Sequence, residues 1–306
     1  MPDPTVITLQ ICFASALGIF VLVSIVRALR ARRVAPDLTD SEPPVTDSCA
    51  NLTVSASMPP PLPVGRVATW PYVGIDLLWV GFIFLTFFAL SVGTARMAAT
   101  QTEIVISVQG LIQSIGFQLV LAGLTLGVMV WRIRPIAWLG LRWKGWIWVF
   151  LMAPAGVAAM WLLSAGLYAA GYMQWLDSLG VEPMQDSVKL LQTTRDPLAL
   201  GLMAVAAMLV APLCEELVFR GYLYPAAKKF AGPWVAGACS ALVFAAAHGS
   251  LAPLVPLFFF GCLLVLAYER SGSLWAPIAM HCCFNSTTVT IQVVARLCHF
   301  PLSPDL

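Results

Sequence analysis

The sequence predicts an all-α membrane protein, a bundle of about eight transmembrane helices around a polar cavity inside the bilayer. Three observations carry this. Hydrophobic residues make up 59% of the 306 residues and charged residues only 10%, whereas soluble domains are roughly 25% charged. Apolar stretches of about 20 residues, the length that spans a bilayer, recur eight times along the chain. Several ionisable residues also fall inside those stretches. Each costs about 2.5–3.5 kcal/mol on insertion scales, so a bundle interior or a wet cavity must take them.

The first apolar segment covers about residues 5–27. Only Asp3 precedes it and there is no basic n-region, so it reads as a retained helix rather than a cleaved signal. It ends in "RALRARR". The stretch that follows, residues 34–68, contains "SEPPVTDSCANLTVSASMPPPLPVG". Rich in Pro, Ser and Thr, with little to bury, it is expected to be a flexible cytoplasmic linker. Segments two to four run at about 70–93, 105–131 and 145–170. The loop at 171–197 is mildly acidic and is expected to hold a short amphipathic helix. Segments five to eight follow closely at about 198–224, 232–250, 252–269 and 274–297. The expected organisation is an N-terminal helix (1–33), the linker (34–68), helices two to four with their loop (69–197), a core of four helices (198–297) and a tail (298–306).

Lys and Arg set the orientation. With Arg27, Arg30, Arg32 and Arg33 in the cytoplasm, thirteen of the seventeen basic residues lie inside, and Arg96, Lys189, Arg195 and Arg296 lie outside. This fits eight spans with both termini outside. The net charge of +2 is accounted for by the inner loops and leaves no basic patch for nucleic acid. The eight cysteines contain no CxxC pair, and most lie in apolar segments where thiols act as small hydrophobes, so no disulfide framework is expected.

The unusual residues cluster in the last four segments. "CEELVFRGYLYP" (214–225) places Glu215, Glu216 and Arg220 at the end of an apolar run. "LVFAAAHG" carries His248, and "PIAMHCCFN" carries His281 and Asn285. Residues four apart share a helix face, so Glu216 pairs with Arg220, Phe244 with His248, and His281 with Asn285. Glu215 points about 100° away from Glu216, so the two carboxylates have different tasks. A carboxylate in a low-dielectric site can take a proton from water near neutral pH. Histidines can hold that water or deliver a proton, and a histidine with an amide can donate to a developing oxyanion. Glu215, His248 and His281 are also a ligand set that zinc accepts, although HExxH is absent. The neighbours of His248 (Ala245, Ala246, Ala247, Gly249) offer the ring no hydrogen-bond acceptor, which favours a glutamate-activated water without an ion. Asp76 reads as an interfacial or helix-packing group.

Depth poses a question. Segment five running inward puts Glu215 near its inner end, whereas His248 lies about 22 Å along segment six. The two share a level only if segment five continues as helix through Tyr224, segment six begins outside the bilayer, or its helix is broken.

"EELVFR", "FAAAH" and "HCCFN" match EExxxR, FxxxH and HxxxN in order, and over about residues 198–297 the chain resembles the CPBP family of intramembrane proteases. That family includes type II CAAX prenyl endopeptidases and bacterial Abi relatives. The resemblance implies a bundle of about eight helices whose cavity opens to membrane or cytosol. It implies that Glu215 activates water, His248 helps position it, His281 and Asn285 form an oxyanion site, and Glu216 and Arg220 support that site. The expected partners are the lipid bilayer and a membrane-associated or prenylated protein or peptide substrate. The expected location is a bacterial inner or plasma membrane, or the ER membrane in a eukaryote. Two other readings stand beside the protease: a non-catalytic scaffold or immunity protein on the same fold, and a transporter with a Glu/Arg/His pathway. The clustering of polar groups in three helices and the lack of an internal repeat weigh against the transporter.

Overall fold

The computed structural model describes residues 3–34, 65–98, 108–132, 135–141, 145–181, 191, 194 and 196–298. Among these there are no strands. The helices are α1 (Pro4–Val34), α2 (Asp76–Ala98), α3 (Val108–Arg132), the short α4 (Pro135–Trp138), α5 (Val149–Ala169), α6 (Tyr172–Ser178), α7 (Pro197–Ala231), α8 (Pro233–Ala246), α9 (Leu254–Ser271) and α10 (Trp275–Leu297). Seven of them are long and apolar enough to cross a membrane, and the chain is a multi-pass integral membrane protein. The eighth expected span, α8, has 14 residues. At 1.5 Å per residue it reaches about 21 Å, short of the ~30 Å hydrocarbon core. Large apolar side chains such as Leu162, Leu78 and Trp131 stand on the outer faces of α5, α2 and α3, as lipid contact requires.

α7 dominates the core. Asp196 caps its start by accepting the Leu198 N–H at 2.9 Å, with Pro197 in the first turn. Two π-helical stretches interrupt it, Ala206–Val210 and Leu217–Leu223, and each is followed two residues later by a proline, Pro212 and Pro225. Proline has no N–H to give and clashes with the turn behind it; a π-bulge widens that turn. α7 ends at Gly232, whose φ of +84° is a conformation that glycine adopts without strain and that folds α8 back along α7.

This hairpin answers the depth question. α7 continues through Tyr224 to Ala231, so Glu215 lies sixteen residues before the turn and His248 fifteen residues after Pro233. Both are then about 22–24 Å from the turn. α8 also ends at Ala246, and His248 occupies the turn just beyond it. Glu215 is therefore not at the inner end of its helix, and the 232–250 segment is not helical throughout.

The remaining helices wrap this hairpin. α1 packs on α8 and on the last turns of α7, burying Leu9, Phe13 and Ala16, and Phe13 meets Phe84 and Phe88 of α2 edge-on. α9 crosses α8 where Gly261 faces Ala241: a Cβ on Gly261 would stand 2.9 Å from the Ala241 Cβ. Small residues allow such close crossings in membranes. α10 lies between α5 and α9.

Most of the expected linker lies outside the described residues. Its final part is docked, because Val67 is buried and its carbonyl accepts from Lys228 Nζ at 2.8 Å. Lys228 also pairs with Glu269 at 2.5 Å, and Tyr224 donates to the same carboxylate oxygen at 2.6 Å. The helix expected in the 171–197 loop is found as α6, tied to the chain near α9 by Tyr172 Oη, which donates to the Ala252 carbonyl at 3.1 Å. Asp76 is a helix-packing group. It pairs with Arg132 at the end of α3 and accepts from Tyr222 Oη at 2.6 Å. The described cysteines are free.

Candidate active site

Two layers of polar groups meet where α7, α8 and α10 come together. The inner layer is buried and built around an ion pair. Glu216 and Arg220 are each 0% exposed, one helical turn apart on α7. Arg220 Nη1 lies 3.0 Å from Glu216 Oε1, and His281 Nδ1 of α10 lies 2.9 Å from the same oxygen. Arg220 Nη2 donates to the Gly261 carbonyl of α9 at 3.2 Å. The guanidinium carbon stands 4.3 Å from the centroid of Phe244, a cation–π contact inside a desolvated site. Arginine suits this position because its planar fork serves several acceptors at once.

The outer layer borders a cavity of about 180 Å³. Glu215 and His248 line it, with Phe87 and Leu90 from α2 and Ser114, Phe117, Gln118 and Leu121 from α3. Glu215 is half-buried, and its Oε2 is buried without a hydrogen-bond partner among the described residues. His248 Nδ1 lies 2.9 Å from the Phe244 carbonyl, so the acceptor that its sequence neighbours were not expected to offer comes from the backbone one turn back, and its expected lack no longer weighs against a metal. A carbonyl only accepts, so Nδ1 carries a proton, and in the neutral ring Nε2 is then the acceptor. The adjacency of Glu215 and Glu216 thus separates them as the 100° helical step requires: one faces the cavity, the other the charged interior.

Phe244 joins the layers. Its ring meets His248 at 5.1 Å, Phe219 at 5.3 Å and His281 at 5.9 Å between centroids. His281 is also held edge-on by Phe260 at 5.3 Å.

Asn285 is engaged elsewhere. Its Nδ2 donates to the Ala207 carbonyl at 2.8 Å. In the first π stretch the Ala211 N–H bonds the Ala206 carbonyl, five residues back. The same register would match the Ala207 carbonyl to Pro212, which has no N–H, and Asn285 supplies the missing donor.

The structure therefore brings Glu215 with His248, and Glu216 with Arg220 and His281, but Asn285 meets neither set. His281 and Asn285 are not on the wall of the Glu215–His248 cavity. Neither is the zinc ligand set assembled: among the described residues no three His, Cys, Asp or Glu side chains are grouped to hold a metal ion, and His281 is turned onto Glu216 rather than toward Glu215. Sequence reasoning missed Gln118, Ser114 and the role of Phe244. The signal for the first two was present as polar residues within the apolar run "IQSIGFQLVL".

A carboxylate and a histidine thus share one cavity inside a helical bundle. Residues 197–287 match the Rce1-like family, described as type II CAAX prenyl endopeptidase Rce1-like. The chain is also similar to the "Putative membrane peptidase YdiL" of Bacillus subtilis (strain 168), at 28% identity over 95 residues. That similarity spans 31% of this chain and 39% of the relative. No solved structure matches the chain.

Proposed function

We propose that the protein is an intramembrane endopeptidase in which Glu215 activates the water that attacks a peptide carbonyl. The observation that supports this is the Glu215 Oε2 atom, buried without a partner on a cavity that it shares with His248. An unpartnered buried carboxylate oxygen is costly unless something else meets it. A water between Glu215 and His248 Nε2 would meet both groups.

In the reaction the water oxygen forms a bond to the carbonyl carbon as its proton passes to Glu215. The C–N bond then breaks, and Glu215 returns that proton to the leaving amine. His248 holds the water, its tautomer set by the Phe244 carbonyl. Glu216, Arg220 and His281 keep α7, α9 and α10 in register beneath the cavity. His281 acts through Glu216, to which its Nδ1 donates. The substrate class is a membrane-associated or prenylated peptide that reaches the cavity beside α2 and α3.

The test is incubation of the detergent-purified chain with prenylated and unprenylated membrane peptides, reading new termini by mass spectrometry. Cleavage of either set that requires Glu215 supports the proposal. A folded protein that cuts neither returns the chain to the scaffold reading.

A further inference from the structure

We propose that Gln118, on α3, is a positioning residue that holds the main chain of the bound peptide across the cavity from Glu215. The inference rests on the peptidase reading above and goes beyond it, because α3 lies outside the segment that matches the family. Gln118 and Ser114 are one turn apart on one face of α3, and both line the cavity. Gln118 Oε1 is buried and has no hydrogen-bond partner among the described residues, as is Glu215 Oε2.

Two unmet acceptors therefore border one cavity. An occupant that satisfies both must bring two donors. A water satisfies Glu215. A bound peptide can bring the second donor, since it carries one at nearly every residue in its backbone N–H. A primary amide suits this task further, since it presents an acceptor and a donor side by side, as a peptide group does. Phe87, Phe117, Leu121 and Val218 complete the wall and are apolar. They can take a side chain but offer nothing to a main chain. Gln118 then sets which peptide bond lies over Glu215.

An amide kept for substrate should cost stability in the free protein. Gln118→Leu keeps the bulk and removes the orphaned acceptor, so the full-length protein in detergent should unfold at the same temperature as wild type or higher. The hydrogen bond is made in ground and transition states alike, so its loss raises KM about five- to tenfold and leaves kcat within about twofold. Gln118→Asn should recover part of the loss. The substrates are the fluorescence-quenched peptides of the cleavage assay, together with ester analogues in which single backbone N–H groups are replaced by oxygen. One ester position should weaken wild type and leave Gln118→Leu unaffected. Binding of the same labelled peptides is measured by anisotropy in the Glu215→Gln background. Weaker binding with Gln118→Leu, where the wild-type chain cuts none of the peptides, keeps this inference and sinks the peptidase reading. Equal binding and equal KM with and without Gln118, whether or not wild type cleaves, overturns the inference and leaves the peptidase reading to its own test.

Discussion

His281 Nδ1 and Arg220 Nη1 converge on a single oxygen, Glu216 Oε1, at 2.9 Å and 3.0 Å. The three side chains come from two helices and are sealed from solvent, so the carboxylate is a charged rivet between α7 and α10. Its value lies in pairing at Oε1, although Glu216 Oε2 and Arg220 Nε are buried without a hydrogen-bond partner among the described residues. A buried pair with both partners present roughly balances its desolvation, whereas one partner alone leaves a bare charge.

Arg220→Ala should therefore be severe. It strands Glu216 and removes the donor to the Gly261 carbonyl, and such losses cost about 3–5 kcal/mol. The thermal midpoint in detergent should fall sharply, together with any activity. Combining Arg220→Met with Glu216→Gln removes both charges and should recover much of that stability. If Arg220→Ala keeps wild-type stability and weakens only substrate binding, the arginine serves the substrate instead.

Glu215→Gln should behave in the opposite way. Glu215 makes no salt bridge among the described residues, and a neutral amide costs less to bury than a carboxylate. The variant should be as stable as wild type, or more so, and should lose cleavage by at least about a hundredfold, the usual contribution of a general base. Residual turnover near the wild-type rate would remove Glu215 from the reaction.

The contrast between these neighbours shows what the sequence made legible. Helical spacing foretold that Glu215 and Glu216 would part and that Glu216 would meet Arg220, because a 100° step leaves no other outcome on one helix. Eight apolar runs foretold the bundle. The π stretches of α7 were not legible, since they answer prolines that a plain helical reading treats as kinks. They decide how far α7 extends and where Asn285 binds. Gln118 was legible only as a polar residue in an apolar run: nothing local ties α3 to α7, and only packing brings them to one cavity.

Gly261→Ala tests the crossing that supports the rivet. The new Cβ would lie 2.9 Å from the Ala241 Cβ and 3.0 Å from its Cα. Neither atom can swing aside, so α8 and α9 must separate, at a typical overpacking cost of about 1–3 kcal/mol. The Gly261 carbonyl would then withdraw from Arg220. Lower thermal stability with weakened activity is expected. Ala241→Gly in the same chain restores the space and should return both. Wild-type stability of Gly261→Ala would show that the crossing has slack.

Asn285 poses the sharpest question, because its donor meets the Ala207 carbonyl that Pro212 leaves unmatched. Asn285→Ala should strand that part-buried carbonyl and lower stability by about 1 kcal/mol. Pro212→Ala restores a backbone N–H five residues after Ala207, in register with the π turn, and should offset the loss. The two substitutions form a cycle. If Asn285 only staples α10 to α7, the double variant regains both thermal stability and cleavage, and the coupling between the sites is large. If Asn285 also donates to the developing oxyanion, stability returns while kcat stays depressed. Activity and melting measured on all four proteins separate the outcomes. A double variant no more stable than Asn285→Ala would refute the carbonyl pairing itself.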